Sequence, residues 1–435
     1  MVVCRTDLRE DLRTAMEPKY RVLRHNVKVN LYNGIAWAIG FNLVMPFTGV
    51  LAARLGATNT DFALLSSIPA MMSIIATLPA AFMIEQFHKQ KRITSGILLF
   101  SRISYLLLAM LPWFPGGQIR SLIYLVGFYT ATSSIVGVTY QSLMGEIIPA
   151  QQRNKIFSQR NILSGAAGMV VTLFAGWGID RIPYPYGYQL AFGLAFIAAI
   201  FETYYFFRLR IPSEEAIATR APSPPVPLFE MILKKSLQFF RNLNVGASRS
   251  FYLFSISAVI YVFTWQAVWP VYLKVKVDIL HASNTWISID TVLGAIGSML
   301  GFISWAKLAD RFGNGLTVFV SALLLALSPF MWIYAPSMLI ISAYDFFGGF
   351  VTAGFNQALF NRLLELAPSH ARTRSIAVYT SLTQISAIIA PIVGMRIFEL
   401  LPYWMSMGVF GIARIAGAFC FLLVITWLNI PRKKK

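Results

Sequence analysis

The sequence predicts an all-α membrane protein of twelve transmembrane helices arranged as two pseudo-symmetric six-helix bundles. Three observations carry that prediction. Of the 435 residues 57% are apolar and only 13% charged, whereas soluble chains carry about a quarter charged residues. The apolar residues fall in runs of about twenty, the length at which a helix rising 1.5 Å per residue spans a hydrocarbon core of about 30 Å. The pattern of the first half also returns in the second. A disordered chain would lack the aromatics, which make up 14% here. Cys4 and Cys420, at opposite ends, cannot make a disulfide scaffold.

Residues 1–30 are polar and contain no apolar stretch of the kind a cleavable secretory signal needs, so they read as a cytoplasmic N-terminal segment. The first-half runs follow at 31–53, 62–84, 94–113, 121–144, 161–179 and 188–207. The second-half runs lie at 251–273, 285–306, 316–335, 338–360, 376–398 and 404–430, and a basic tail closes the chain at 431–435. The ninth and tenth runs are the hardest to separate. An unbroken helix from 316 to 360 would measure about 68 Å, too long for a bilayer, and Pro336 supplies the turn. Between the halves, 208–250 begins with a Pro-rich stretch, IPSEEAIATRAPSPPVP, that reads as an exposed linker. The next segment, PLFEMILKKSLQFFRNL, sets apolar residues at helical spacing opposite Lys234, Lys235 and Arg241. It reads as a helix lying on the inner membrane surface, with docking of a cytosolic partner as the alternative.

A net charge of +19 could point to nucleic acid. The basic residues form no basic face and no recognition motif; they sit in short clusters between apolar runs, which favours topology and anionic-lipid contact. Of the 37 Lys and Arg, 29 fall on the side of the two termini and the linker. The other side holds Arg54, Arg120, Arg181, Lys274, Lys276 and Arg396. Basic loops stay cytoplasmic, so both termini are expected inside, in a multi-pass protein of a bacterial plasma membrane. A cysteine placed in the 113–120 turn should then react with an impermeant thiol reagent from outside, and one in the 208–226 linker should not. The opposite pattern of labelling would end this topology.

Shifting the chain by 219 residues aligns EIIPAQQRNK (Glu146 to Lys155) with ELAPSHARTR (Glu365 to Arg374), each after a fourth run. A shift of 225 pairs AFMIEQFHK (Ala81 to Lys89) with AKLADRFGN (Ala306 to Asn314), each after a second run. Parallel six-helix repeats joined by a long loop are a transporter architecture. On these features the chain resembles the major facilitator superfamily over its length after the first 30 residues. The family signature G-x-x-x-D-R-x-G-[RK] is kept at Asp310, Arg311 and Gly313, with Ala306 and Asn314 as departures; the first copy has Glu85, Gln86 and His88 in its place. The resemblance implies that this loop latches the cytoplasmic side of an outward-open state. The physics agrees: an acid at a helix end can accept hydrogen bonds from another helix's N-terminus or from Arg, and must release them when that side opens. The Arg in span four and the Gly-Pro pair in span five that are usual in proton-driven drug antiporters are absent.

Ionisable groups inside the membrane are functional candidates: Arg102, Glu202, Asp290, Asp345 and Arg414. Counted from their helix ends, Arg102 and Glu202 lie at matching depth and are expected to form a structural ion pair. The resemblance places spans 1, 4, 7 and 10 around the cavity. Span ten carries Asp345, Gly349, Thr352 and Asn356 on one helical stripe, and span four carries Thr130, Ser134, Gly137 and Gln141. Span seven offers Tyr261, Trp265, Gln266 and Tyr272. Together they suit a small amphipathic solute. Asp345 is the first choice for a residue that couples transport to a proton; a permanent salt bridge to Arg414, at similar depth, is the competing reading. In span eight Asp290 shares a stripe with Gly294, Gly297 and Gly301, and span five carries Gly165, Gly168 and Gly176; the resemblance implies that these two helices meet between the bundles, so the stripe is read as a sliding interface, with Asp290 an outer gate or a solvated helix end.

With four His and no His/Cys/Asp cluster at metal spacing, the chain offers no catalytic or metal site to defend, and no cofactor is expected beyond a proton gradient. The reading is therefore a monomeric secondary transporter working by alternating access on a small molecule, in a lipid bilayer and without nucleic acid, with proton-coupled efflux as one mode. A facilitative uptake carrier, a lipid flippase, a channel-like protein and a non-transporting sensor stay open.

Overall fold

The computed structural model describes residues 4–86, 90–210, 249–334, 337–368 and 372–429, and all their regular structure is helical. In the first half α1 (Cys4–Val44) runs through a short turn at Met45–Phe47 into α2 (Thr48–Arg54), and α3 (Asn59–Gln86), α4 (Gln90–Ala109), α5 (Gln118–Ile147), α6 (Ala150–Arg181) and α7 (Tyr186–Phe207) follow. The second half has α8 (Arg249–Lys274), extended by a wider turn at Val275–Ile279, then α9 (Asn284–Ala326), α10 (Ser328–Ile333), α11 (Met338–Leu366), α12 (Arg372–Leu400) and α13 (Tyr403–Asn429). The surface helix expected in the linker, His88 and the basic tail lie outside the described residues.

Among the described residues eleven stretches are long and apolar enough to cross a membrane, and one of them, Asn284–Ile333, has 50 residues. A straight helix of that length would reach about 75 Å. It breaks at Gly313 (φ 82°, ψ 154°), a left-handed backbone that a side chain strains and glycine does not. The two arms are separate crossings, which brings the number to twelve.

Packing repeats with the sequence. In the first half α1 lies against α6 and α7, α3 against α5, and α4 against α5 and α7; in the second, α8 lies against α12 and α13, and α9 against α11 and α13. Counted as spans, the contacts of 1 with 5 and 6, of 2 with 4 and of 3 with 6 recur six spans later. Each half has its own aromatic core. Phe47, Tyr105, Tyr129 and Phe192 are buried in the first, and Phe251, Phe254, Tyr261, Phe355 and Phe421 in the second. The halves meet where α3 touches α12 and where α6 touches α9. The face carrying Arg210 and Arg249 is called here the linker face, and the opposite one the far face.

One expectation is extended and one changes. The helix that carries the first span begins well before residue 31, at Cys4. Asn26 donates to the carbonyl of Arg210 (2.8 Å) and accepts from its N–H (2.9 Å), and His25 Nε2 lies 3.1 Å from the carbonyl of Arg208. These polar residues tie α1 to the end of α7, a tie that a count of apolar residues misses. The glycines of span eight do not face span five. A Cβ on Gly297 would run into the carbonyl oxygen of Phe346, and Gly294 lies against Gly349. The stripe brings α9 onto α11 within the second half, where Ser298 donates to the Gly349 carbonyl (3.1 Å) and Trp305 Nε1 to that of Phe350 (3.0 Å). Small residues allow the backbones to approach, and the partner is set by which helix is adjacent.

Candidate functional site

Among the described residues, the side-chain hydrogen bonds that join the halves gather at the far face. Asp180, next to last in α6, accepts from the backbone N–H groups of Asn284 (3.1 Å) and Thr285 (2.7 Å), from Asn284 Nδ2 (2.8 Å) and from Thr285 Oγ1 (2.7 Å). Asn284 opens α9, so a carboxylate of one half sits on the unsatisfied N–H groups and positive dipole end of a helix of the other. Tyr188 of α7 donates to Asn284 Oδ1 (2.9 Å), and Arg54 lies 3.9 Å from Asp180 and over the Tyr188 ring. Apolar contacts close the same end. Val50 packs with Val277, Ala282, Ile287 and Met338, and Phe62 with Val271, Val275 and Ala390.

In this structure the acid that caps a helix of the other half is Asp180, on the face opposite Asp310. Asp310 and Arg311 are exposed at the linker face, and Asp310 has no hydrogen bond or ion pair among the described residues. Next to them Gly313 forms the bend, and Asn314 Nδ2 donates to Glu365 (2.6 Å), which also accepts from Arg362 (2.8 Å), all within the second half. The side chain of Glu85 is outside the described residues. Asp180 was missed because an acid beside Arg181 at the end of an apolar run looks like any solvated helix end.

About two turns below the clamp lies a buried charge cluster. Lys276, in the turn that extends α8, forms salt bridges with Asp290 of α9 and with Asp345 of α11, the latter at 2.6 Å. The Asp290 side chain is 7% exposed and that of Asp345 30%, and Asp290 Oδ1 is buried without a partner. Lys276 also lies 5.5 Å from the centre of the Trp332 ring, which stacks on Tyr272. This corrects two readings. Asp290 is neither a solvated helix end nor alone, and Asp345 is not bound to Arg414. Arg414 is fully buried but donates to the carbonyls of Leu325 (3.2 Å) and Trp265 (3.1 Å). Lys276 had been counted as a loop cation because the apolar run ends at 273. The helical phase continues past Pro270 in VYLKVKVDI, and that was the available signal.

The remaining candidates separate. Tyr261 is buried and donates to the carbonyl of Ala322 (2.7 Å), packed between Phe355 and Phe421, so it belongs to the core and is closed to a solute. Trp265 is half-buried, edge-on to Trp269 and Phe355, and the half-buried Gln266 has its Oε1 buried without a partner. Thr130 bonds to its own helix at Val126, and Ser134 joins Ser73 of α3 at 2.7 Å. Thr352 is half-buried, while Gln141 and Asn356 are exposed. None of these residues hydrogen-bonds to another of them among the described residues. In the first half Arg102 and Glu202 meet in a two-pronged pair, Nε to Oε2 and Nη2 to Oε1 at 2.8 Å each. Arg102 Nη1 donates to Ser133 (3.0 Å), and the guanidinium lies over Tyr129.

A family model, Major Facilitator Superfamily, matches residues 33–265 and again 254–435. The chain belongs to that superfamily. It is a membrane-embedded solute transporter of that fold. Solved structures agree on the fold. A crystal structure of the nucleoside transporter NupG superposes with a TM-score of 0.69 at 12% identity, covering 94% of this chain and 100% of that one. A partially occluded inward-open form of the xylose transporter XylE from E. coli gives 0.63 at 13% identity over 95% and 99%. A POT family transporter in complex with 5-aminolevulinic acid gives 0.69 at 12% over 94% and 97%. No curated protein matches the sequence.

Proposed function

We propose that this transporter is a secondary carrier that moves a small amphipathic solute by alternating access, with the linker face cytoplasmic and the Lys276–Asp290–Asp345 cluster coupling the cycle to protons. The observation that carries the reading is the clamp of Asp180 on α9, set against Asp310 on the opposite face, which has no partner among the described residues. An acid-on-helix-end contact that holds one face shut while its counterpart is released describes one state of a two-state cycle. The charge cluster supports coupling. Two carboxylates share one ammonium, so one negative charge is left over in a site largely screened from water, and a proton taken up by either carboxylate would neutralise it.

Locking the clamp tests the cycle. With Asp180→Cys and Thr285→Cys, whose parent side chains are 2.7 Å apart, oxidation should stop solute flux in proteoliposomes and reduction should restore it. Undiminished flux through fully cross-linked protein would rule out alternating access and favour a channel-like path.

A further inference from the structure

A cluster that neither the clamp nor the coupling site uses lies in the first half. Arg160 stands ten residues into α6, about 15 Å along the helix, within a stretch apolar enough to cross a membrane. Its guanidinium carbon is 4.9 Å from the centre of the Tyr140 ring on α5 and 6.0 Å from that of Trp37 on α1. Its stem lies over Gly34, where a Cβ would come within 2.7 Å of Arg160 Nε and of Ser164 Oγ. Asn30, Gly34 and Trp37 form one stripe of α1, and Arg160 and Ser164 are one turn apart on α6.

Their hydrogen bonding is unbalanced. Arg160 Nε, Ser164 Oγ and Asn30 Nδ2 are all buried without a partner. The one satisfied group of Asn30 is its Oδ1, which accepts from Tyr140 (2.7 Å). No carboxylate pairs with Arg160 among the described residues. Arg102 holds Glu202, and Arg414, whose Nε is also buried without a partner, gives its other nitrogens to two carbonyls. A half-buried cation at the linker-side edge of span five, with buried donors beside it and no acceptor, lacks an anion. The aromatic faces contribute to holding the guanidinium in place but accept none of its in-plane N–H bonds.

We propose that Arg160, with Asn30 and Ser164, holds the anionic group of the transported solute, a carboxylate or a phosphate monoester, on the first-half side of the pathway. The proposal rests on the carrier reading and adds the substrate's charge.

The test uses the purified full-length transporter and four probes that share one ring and differ in charge: benzoate, phenyl phosphate, benzamide and benzylamine. A ligand of the folded state raises the melting temperature by mass action. One or both anions should do so, and the amide and amine should not. Arg160→Gln should weaken the effect about ten- to a hundredfold, the range for a charge-assisted hydrogen bond, and Arg160→Lys should retain part of it. Anion binding unchanged in Arg160→Gln, stabilisation by benzamide or benzylamine instead, or no stabilisation by either anion up to its solubility limit would each overturn the proposal. Stabilisation by phosphatidylglycerol alone would give the site to a lipid headgroup and overturn it too. Should Arg160→Gln fold poorly, Arg160→Met decides. Removing an unpaired cation should raise the ligand-free melting temperature, and a marked fall would make Arg160 structural. Failure of the carrier reading registers separately, as flux that persists through the cross-linked clamp.

Discussion

Replacing Lys276 with methionine is expected to destabilise the transporter by about 3–5 kcal/mol and to abolish transport, because it leaves Asp290 and Asp345 facing each other with no cation. That magnitude is typical when one partner of a buried ion pair is removed, and the side chains of Lys276 and Asp290 are only 14% and 7% exposed. Neutralising one acid should behave differently. Asp345→Asn removes the surplus negative charge and leaves a one-to-one pair of Lys276 with Asp290, so stability should change by no more than about 1 kcal/mol, the net worth of one hydrogen bond. Accumulation driven by a pH gradient should then be lost while counterflow exchange of the same solute persists. Thermal melting and the two proteoliposome assays separate these outcomes. If Asp345→Asn accumulates solute with unchanged pH dependence, the cluster is a structural staple and coupling lies elsewhere. If Lys276→Met melts as the parent does, the buried cluster does not contribute to the fold as described.

In the first half, Arg102→Met and Glu202→Leu should each lower stability by about 3–5 kcal/mol, and the double substitution should recover most of that loss. The two-pronged bond is almost wholly buried, at 2% and 6% side-chain exposure. Either single change strands a charge in a low-dielectric core, while the double change leaves apolar groups of similar size. Arg102 also serves Ser133 and the faces of Tyr105 and Tyr129, so recovery should be incomplete by about 1 kcal/mol. Asp180, Tyr188, Asn284 and Thr285 of the clamp make no hydrogen bond to the pair, and the double variant should keep transporting. A double variant no more stable than the worse single one, measured by chemical or thermal denaturation, would contradict an energetic pairing.

Arg102 and Glu202 also mark how far a sequence reaches. Depth in a membrane is nearly a one-dimensional quantity. Helix rise times residue number, counted from the end of an apolar run, put these two residues at the same level, and their side chains meet. The same arithmetic separated the ninth span from the tenth, which the structure ends at Ile333 and starts at Met338, and the 219-residue repeat foreshadowed the matching contacts of the two halves. The bilayer supplies these rules, since it demands a fixed length of apolar helix and taxes every unpaired charge.

Azimuth is not one-dimensional, and there the sequence alone stopped. Asp345 and Arg414 share a depth, yet Asp345 turns to Lys276 and Arg414 to backbone carbonyls. The glycines of span eight turn to span ten, Tyr261 faces the core, and Arg160 folds over Gly34 between two aromatic rings. The clamp depends on two helix ends from different halves, Asp180 and Asn284, arriving within hydrogen-bonding distance. Length, crossing number and repeat were written in the order of residues, because the membrane reads that order along its normal. Which charge meets which was decided by the rotation of each helix about its own axis and by its neighbours, quantities that only the packed tertiary structure specifies.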